Sequence, residues 1–355
     1  MAFTTIDDSS VYFQTKLYTG NGGTNAITNT GNSDLQPNWI WFKCRSAAEH
    51  HGFFDSVRGV TKVIYSNLNN AEDTVSDSLA SFNSDGFTMG ADSGSGGAFN
   101  GDTKTMAAWQ WKAGTAFTND ASSTSVGSID SAGSVNTDAG FSIISYTGTG
   151  SVGTIAHGLG VVPSMYILKR RAGDTENWPI YHQSVGNTHA LYLNTTDTIY
   201  DYANFTNDTS PTSSVFSVGG SNNQANPDGS TMIAYCFAEK QGYSKMGSYT
   251  GTANADGAFV YTGFKPRWIM IKGTNIARNW GINDTKRSPI NQTQDSLYAN
   301  VADAETGSGN YIDFLSNGFK LRDTALTMNG AYKYIYMAFA ENPFVTSTGV
   351  PATAK

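Results

Sequence analysis

Three short stretches decide how this chain folds: Pro37-Asn38-Trp39-Ile40-Trp41-Phe42-Lys43, Pro163-Ser164-Met165-Tyr166-Ile167-Leu168-Lys169 and Pro266-Arg267-Trp268-Ile269-Met270-Ile271-Lys272. Each runs from a proline through apolar residues to a lysine six positions on. A short apolar run without helical spacing, bounded by turn residues, reads as a β-strand covered on both faces. Proline at its start removes a ladder donor before the ladder begins. The shared Lys43, Lys169 and Lys272 then read as strand ends in water, where a lysine resists edge-to-edge pairing.

Working outward, each stretch sits in the same frame. Upstream lie Tyr18-Thr19-Gly20, Tyr146-Thr147-Gly148 and Tyr249-Thr250-Gly251. Downstream, an aromatic precedes a polar turn at Phe54-Asp55, at Trp178 to His182 and at Trp280 to Asp284. The copies close on Met106 to Trp111, Met232 to Phe237 and Tyr334 to Phe339, so that proline and closing aromatic stand 74, 74 and 73 residues apart. A register held three times marks an internal repeat. The reading is an all-β chain of three tandem, jelly-roll-like β-sandwich domains, 1–117, 139–242 and 243–346. Residues 118–138, rich in Ser, Gly, Asp and Thr, read as a flexible linker, and 347–355 as a loose tail. On this reading 1–117 and 139–346 are separately compact. Asp85-Gly86 and Asn317-Gly318 offer the positive φ of tight hairpin turns.

Composition agrees. In 355 residues there are 38 Gly and 12% aromatics, with only 14% charged residues, which suits many short strands joined by polar turns. The net charge of −7 comes without a Lys/Arg stripe, which speaks against nucleic acid as a partner. No apolar run approaches the roughly 20 residues of a membrane span. The opening Met1 to Asp8 is acidic and unlike a secretory signal. Two cysteines, Cys44 and Cys236, exclude a disulfide framework and read as buried thiols.

Candidate chemistry is thin. His50, His51, His157, His182 and His189 lack the spacing of a metal site or triad, so no cofactor or metal is expected. Glu239 and Glu341 share a repeat position, which points to a role in the fold, and most Asp residues sit in turns that they cap themselves. No nucleophile elbow, phosphate loop or dinucleotide fingerprint is present. The aromatics remain, with core packing as the default reading for the tryptophans. Trp178 and Trp280 open variable loops; core is the first reading for them too, and with His182 and Asp284 they are the candidate contact residues for a partner or a stacked sugar.

The combination of Tyr-Thr-Gly, "AHGLGVVPSMYILK" (156–169), "GFKPRWIMIK" (263–272), "DFLSNGFKLR" (313–322) and "YIYMAFAENPF" (334–344) resembles a domain common in virion proteins of marine bacteriophages, tail-fibre-like or of unknown function. The opening "MAFTTIDDSSVYFQTKLYTG" and "DSVRGVTK" (55–62) are similar too. The resemblance implies a non-enzymatic structural part of a phage particle surface, a tail or fibre appendage or a capsid decoration. Such a part is assembled in the host cytoplasm and located on the virion. Its partners would be other virion proteins, further copies of itself (a trimer first) and a host-surface glycan. The rival readings are a glycan-binding adhesin and, behind it, a polysaccharide depolymerase.

Overall fold

The computed structural model describes residues 4–307 and 309–352. The first three residues of the opening stretch and the last three of the tail lie outside them. The described chain is nearly all antiparallel β-structure, and each copy pairs one large sheet with one small one.

The large sheets share one strand order. In copy one it runs Phe13–Thr19, Thr105–Trp111, Trp39–Cys44, Gly52–Asp55, Lys62–Tyr65, Asp73–Thr74. Copy two repeats it with Phe141–Thr147, Thr231–Phe237, Met165–Arg170, Pro179–His182, His189–Tyr192, Tyr200–Asp201. Copy three repeats it with Ser244–Thr250, Lys333–Pro343, Phe264–Gly273, Gly281–Asp284, Leu297–Tyr298. The post-proline strand therefore pairs with the closing strand in every copy. Pro37 and Pro163 precede their strands, whereas Pro266 lies inside Phe264–Gly273 at a break in register with its neighbour, where a missing donor is tolerated.

Alternation along these strands explains why they are apolar throughout. In copy one Trp39, Trp41, Trp109 and Trp111 face one way, while Ile40, Phe42 and Ala108 face the other. The second face meets the small outer sheet of the same copy: Asn25–Ile27, Gly86–Met89 and Leu79–Asn83 in copy one, Gly153–Ala156 and Val215–Val218 in copy two. In copy three the outer strands are Phe259–Tyr261, Gly318–Leu321 and Ile312–Leu315. The first face meets the other two copies. Trp39 and Trp111 (copy one), Tyr235 and Phe237 (copy two) and Trp268 and Phe339 (copy three) lie in a single buried cluster. Trp39 stacks on Tyr235 at 4.8 Å, and Phe13 on Phe339 at 5.1 Å.

This shared core corrects two expectations. The copies are not separately compact, because each large sheet would expose its aromatic inner face if parted from the others. Nor is 118–138 a flexible linker. Ser131–Asn136 pairs with Phe141–Thr147, and Thr115–Asn119 pairs with Ser131–Asn136, so the stretch adds two strands to the edge of copy two's large sheet. Polar composition there reflects an outer edge of a sheet, not disorder. The start of the tail is also fastened: Ser347 N–H donates to Asp7 Oδ1 at 2.6 Å, and Ala352 N–H to the Phe344 carbonyl at 2.8 Å.

The Tyr-Thr-Gly motif closes each copy on itself. Tyr18, Tyr146 and Tyr249 donate their hydroxyls to the carbonyls of Phe99, Ala225 and Met328 at 2.5–2.6 Å. The motif's glycine has backbone where a side chain would be. A Cβ on Gly20, Gly148 or Gly251 would fall 2.1–2.2 Å from a backbone oxygen. Asp85-Gly86 and Asn317-Gly318 differ from the expected turns. Asn83 pairs with Gly86 and Leu315 with Gly318, so each glycine opens the return strand, and only Gly86 has positive φ.

Candidate functional site

The four candidate contact residues are all interior. Trp178 and Asp284 are 0% exposed, Trp280 and His182 1%. None presents a surface to a partner. The structure brings them together instead at the seams between copies, in positions that recur around the ring.

The lysines show the pattern most simply. Each is fully buried rather than at a wet strand end, and each ammonium donates to one carbonyl of its own copy and one of a neighbour. Lys43 reaches Glu49 and, in copy three, Ala302, both at 2.6 Å. Lys169 reaches Glu176 at 2.6 Å and, in copy one, Asn69 at 2.8 Å. Lys272 reaches Arg278 at 2.5 Å and, in copy two, Thr196 at 2.7 Å. Copy one thus grips three, two grips one, and three grips two. Burial lowers these lysines from 10.5 to about 8 for Lys43 and to about 7 for Lys169 and Lys272.

The same cycle runs through the backbone. Glu72 N–H donates to the Arg171 carbonyl, Ile199 to Thr274 and Glu305 to Arg45, at 2.8–2.9 Å. The tryptophans follow it too: Trp178 Nε1 donates to the Leu68 carbonyl of copy one and Trp280 Nε1 to the Tyr192 carbonyl of copy two, both at 2.8 Å. In copy one His51 takes this place, accepting from Trp41 Nε1 at 2.8 Å, and burial holds its ring well below the usual imidazole range. A head-to-tail contact that returns to its origin makes a closed ring.

At two seams this frame carries a buried ion pair. Asp55 and Asp284 each hold an arginine three residues on, Arg58 and Arg287, at 2.5 Å. The neighbour shares the oxygen that the arginine holds: Tyr235 OH donates to Asp55 Oδ2 at 2.7 Å and Trp109 Nε1 to Asp284 Oδ2 at 3.0 Å. Burial pushes the Asp284 carboxyl up, but the Arg287 charge, its side-chain and backbone N–H donors and the Trp109 indole outweigh it and leave it below its ordinary value. Arg58 and Arg287 continue to Glu72 and Glu305, each clasped by the next copy's Arg171 or Arg45. Copy two has His182 at the aspartate's position, with Nδ1 accepting from Ser184 N–H at 3.1 Å and Nε2 facing the Tyr336 carbonyl at 3.3 Å. Glu239 and Glu341 brace the next position, taking hydrogen bonds from Gln183 and Thr285.

What faces water is different. On the edge strand Phe259–Tyr261 both aromatics stand out from the sheet, 48% and 54% exposed. Lys245 lies 5.5 Å from the centre of the Tyr261 ring, beside a cleft of about 380 Å³ that Tyr261, Lys240, Glu239 and Phe344 line at the junction of copies two and three. The matching strands carry Asn25, Ala26 and Ile27 in copy one and Gly153 to Ala156 in copy two, so the aromatic pair belongs to copy three alone. Sequence reasoning missed it because Phe259 and Tyr261 fall outside the repeat frame; their i, i+2 spacing in a short strand was the available signal. Among the described residues no group of three or more His, Cys, Asp and Glu could hold a metal ion, and no helix is long and apolar enough to cross a membrane.

One family model spans residues 8–343, all three copies together. The chain belongs to the DUF7483 family, a domain of unknown function. Its unit is therefore the whole ring, as the shared core requires, and not one copy of about a hundred residues. No curated protein matches the chain.

Proposed function

We propose that this DUF7483 protein is a non-enzymatic building block of a bacteriophage particle surface, acting through contact with other particle proteins or with the host. One observation supports the contact reading above the rest. The buried Asp55-Arg58 and Asp284-Arg287 networks and the three buried lysines hold one copy to the next, so the seams are built for rigidity, while the outward aromatics Phe259 and Tyr261 are free to meet a partner. The phage assignment leans on the sequence resemblance of 156–169, 263–272 and 313–344 to virion proteins. A rigid ring with one distinctive copy suits a seat on a larger assembly, and further copies would join through outer sheets, since the inner faces are already covered.

A glycan-binding adhesin is the second reading, favoured by Tyr261 and Lys245 at the mouth of the cleft. Antibody labelling of purified particles, read by electron microscopy, tests the first. Label on intact heads or tails supports it, and particles that form without the chain and never carry it would sink it. New reducing ends after incubation with host polysaccharide would refute the non-enzymatic part. Light scattering of the purified chain settles whether the expected trimer of chains forms.

A further inference from the structure

A second cleft lies where the chain's first residues close the ring against copy three. It holds about 200 Å³ between Asp8 to Thr15 and Thr30 to Asn32 on one side and Arg267, Lys286 and Ala340 to Asn342 on the other. Two hydroxyls on its wall are buried and unpartnered. Ser9 and Thr15 are 2% and 5% exposed, yet neither Ser9 Oγ nor Thr15 Oγ1 has a hydrogen-bond partner among the described residues. A buried hydroxyl without a partner costs about 1–3 kcal/mol, so a lining that leaves two of them open is built for something that supplies the bonds.

The charges narrow what that is. Asp8 is already occupied: one carboxylate oxygen accepts from Ser10 N–H and Oγ, the other from Ser33 Oγ at 2.7 Å. Glu341 Oε2 accepts from Thr285 at 3.0 Å. The cations are held less closely. Arg267 stands 3.7 Å from Glu341, beyond hydrogen-bond reach, and Lys286 is close enough to Lys16 to lower it further after burial has done so. An anion would relieve both. A phosphate dianion fits poorly, because it only accepts and would face the carboxylates of Asp8 and Glu341. A ligand with one carboxylate and several hydroxyls suits every group: its acid meets Arg267 and Lys286, and its hydroxyls exchange hydrogen bonds with Ser9 and Thr15 and donate to the carboxylates.

We infer that this cleft binds an acidic sugar unit of the hexuronate class, with Arg267 and Lys286 on the carboxylate and Ser9 and Thr15 on the ring hydroxyls. The site needs no particle, so it stands or falls on the purified chain, apart from the role proposed above. The test titrates the full chain with glucuronate, glucose and inorganic phosphate by calorimetry. Glucuronate should bind at least about tenfold more tightly than either of the others, the worth of one charge-assisted bond. Lys286→Gln and Arg267→Gln should each weaken glucuronate about tenfold. Ser9→Ala and Thr15→Val should also weaken it while melting no lower than the parent, because each removes a hydroxyl with nothing bonded to it. Glucose binding as well as glucuronate would overturn the role of the cations. Phosphate binding as well would reduce the site to a simple oxyanion cradle and overturn the sugar. No binding by any of the three, or binding unchanged in all four variants, would overturn the site itself.

Discussion

Two seams of the ring are built on Asp-Arg-Glu-Arg networks, and the third is built on His182. Where copy two meets copy one, Asp55, Arg58, Glu72 and Arg171 run in sequence from the core to the rim. Where copy one meets copy three, Asp284, Arg287, Glu305 and Arg45 repeat that run. Where copy three meets copy two, His182 stands for aspartate, Val185 for arginine, Ile199 for glutamate and Thr274 for the outer arginine. The lysine and backbone bonds are the same in all three. So the ring's geometry is set by lysine and backbone, and the ion pairs are additions that a seam can lack. The third seam also shows that a whole network goes together: once aspartate is absent, a buried arginine would have no partner, and none of its charged members is kept.

That contrast is broken most directly at the aspartates. Asp55→Ala and Asp284→Ala each leave an arginine buried and unpaired, which should cost about 3–5 kcal/mol. His182→Ala removes two neutral hydrogen bonds, those with Ser184 N–H and the Tyr336 carbonyl, and should cost about 2 kcal/mol. Urea denaturation measures all three. Unfolding should be a single transition in each variant, because the copies share one core. Equal costs would show that the third seam hides a network of its own, and separate transitions would show that the copies fold apart.

Much of this was legible in the sequence, and the limit has a physical cause. The apolar runs at Trp39, Met165 and Trp268 said that both faces of a strand were covered, but burial does not name what covers it. Neighbouring copies do, and that decides Trp178 and Trp280 for the core over the loop contacts they could also have been. The lysines were misread because one lysine at a strand end looks like a solvated one. Its repetition at one register in three copies was the better signal, since solvent alone does not hold a residue type in register. Asp55-Ser56-Val57-Arg58 and Asp284-Thr285-Lys286-Arg287 carried the ion pair in plain view, with copy two's departure from it. Ser9 and Thr15 gave no sign: an unpartnered hydroxyl exists only in three dimensions.

The lysines sharpen the comparison, because they should behave alike at charged and uncharged seams. Lys272→Met leaves the Thr196 and Arg278 carbonyls without this donor, and Lys169→Met the Glu176 carbonyl, since Asn69 still accepts from Glu176 N–H; each should cost about 1–3 kcal/mol. The pH dependence has a definite sign. An unfolded lysine keeps its proton to about 10.5, while folded Lys272 releases it at about 7. Between those values the unfolded chain holds more protons, so stability rises with pH across that window. Melting curves from pH 7 to 10 should show Lys272→Met losing its share of the rise. A variant with the parent's full slope would mean that the carbonyls of Arg278 and Thr196 keep the ammonium charged throughout.

The smallest expected effect isolates the third seam. Burial lowers His182 from 6.5 to about 4, so in the fold it stays neutral, accepting at Nδ1 and offering Nε2–H to Tyr336. The unfolded chain takes up a proton near 6.5 and the folded chain does not, so stability falls as pH drops below that value. Between pH 6.5 and 5.5 the loss from this residue should be about 1 kcal/mol, in a range where carboxylates remain ionised. His51 and His157 are lowered too and contribute to the same slope, which makes the difference between two proteins the informative quantity. His182→Asn keeps an acceptor for Ser184 N–H and a donor for the Tyr336 carbonyl but does not titrate. Its stability should fall less than the parent's over that unit of pH. The Asp55 and Asp284 seams carry an Asp-Arg pair where this imidazole stands, so His182 makes the joint between copies two and three acid-sensitive. Hydrogen exchange at pH 5.5 should therefore quicken first in His182 to Val185 and the facing strand at Tyr336. Even exchange around the ring would place the sensitivity at His51 or His157 instead.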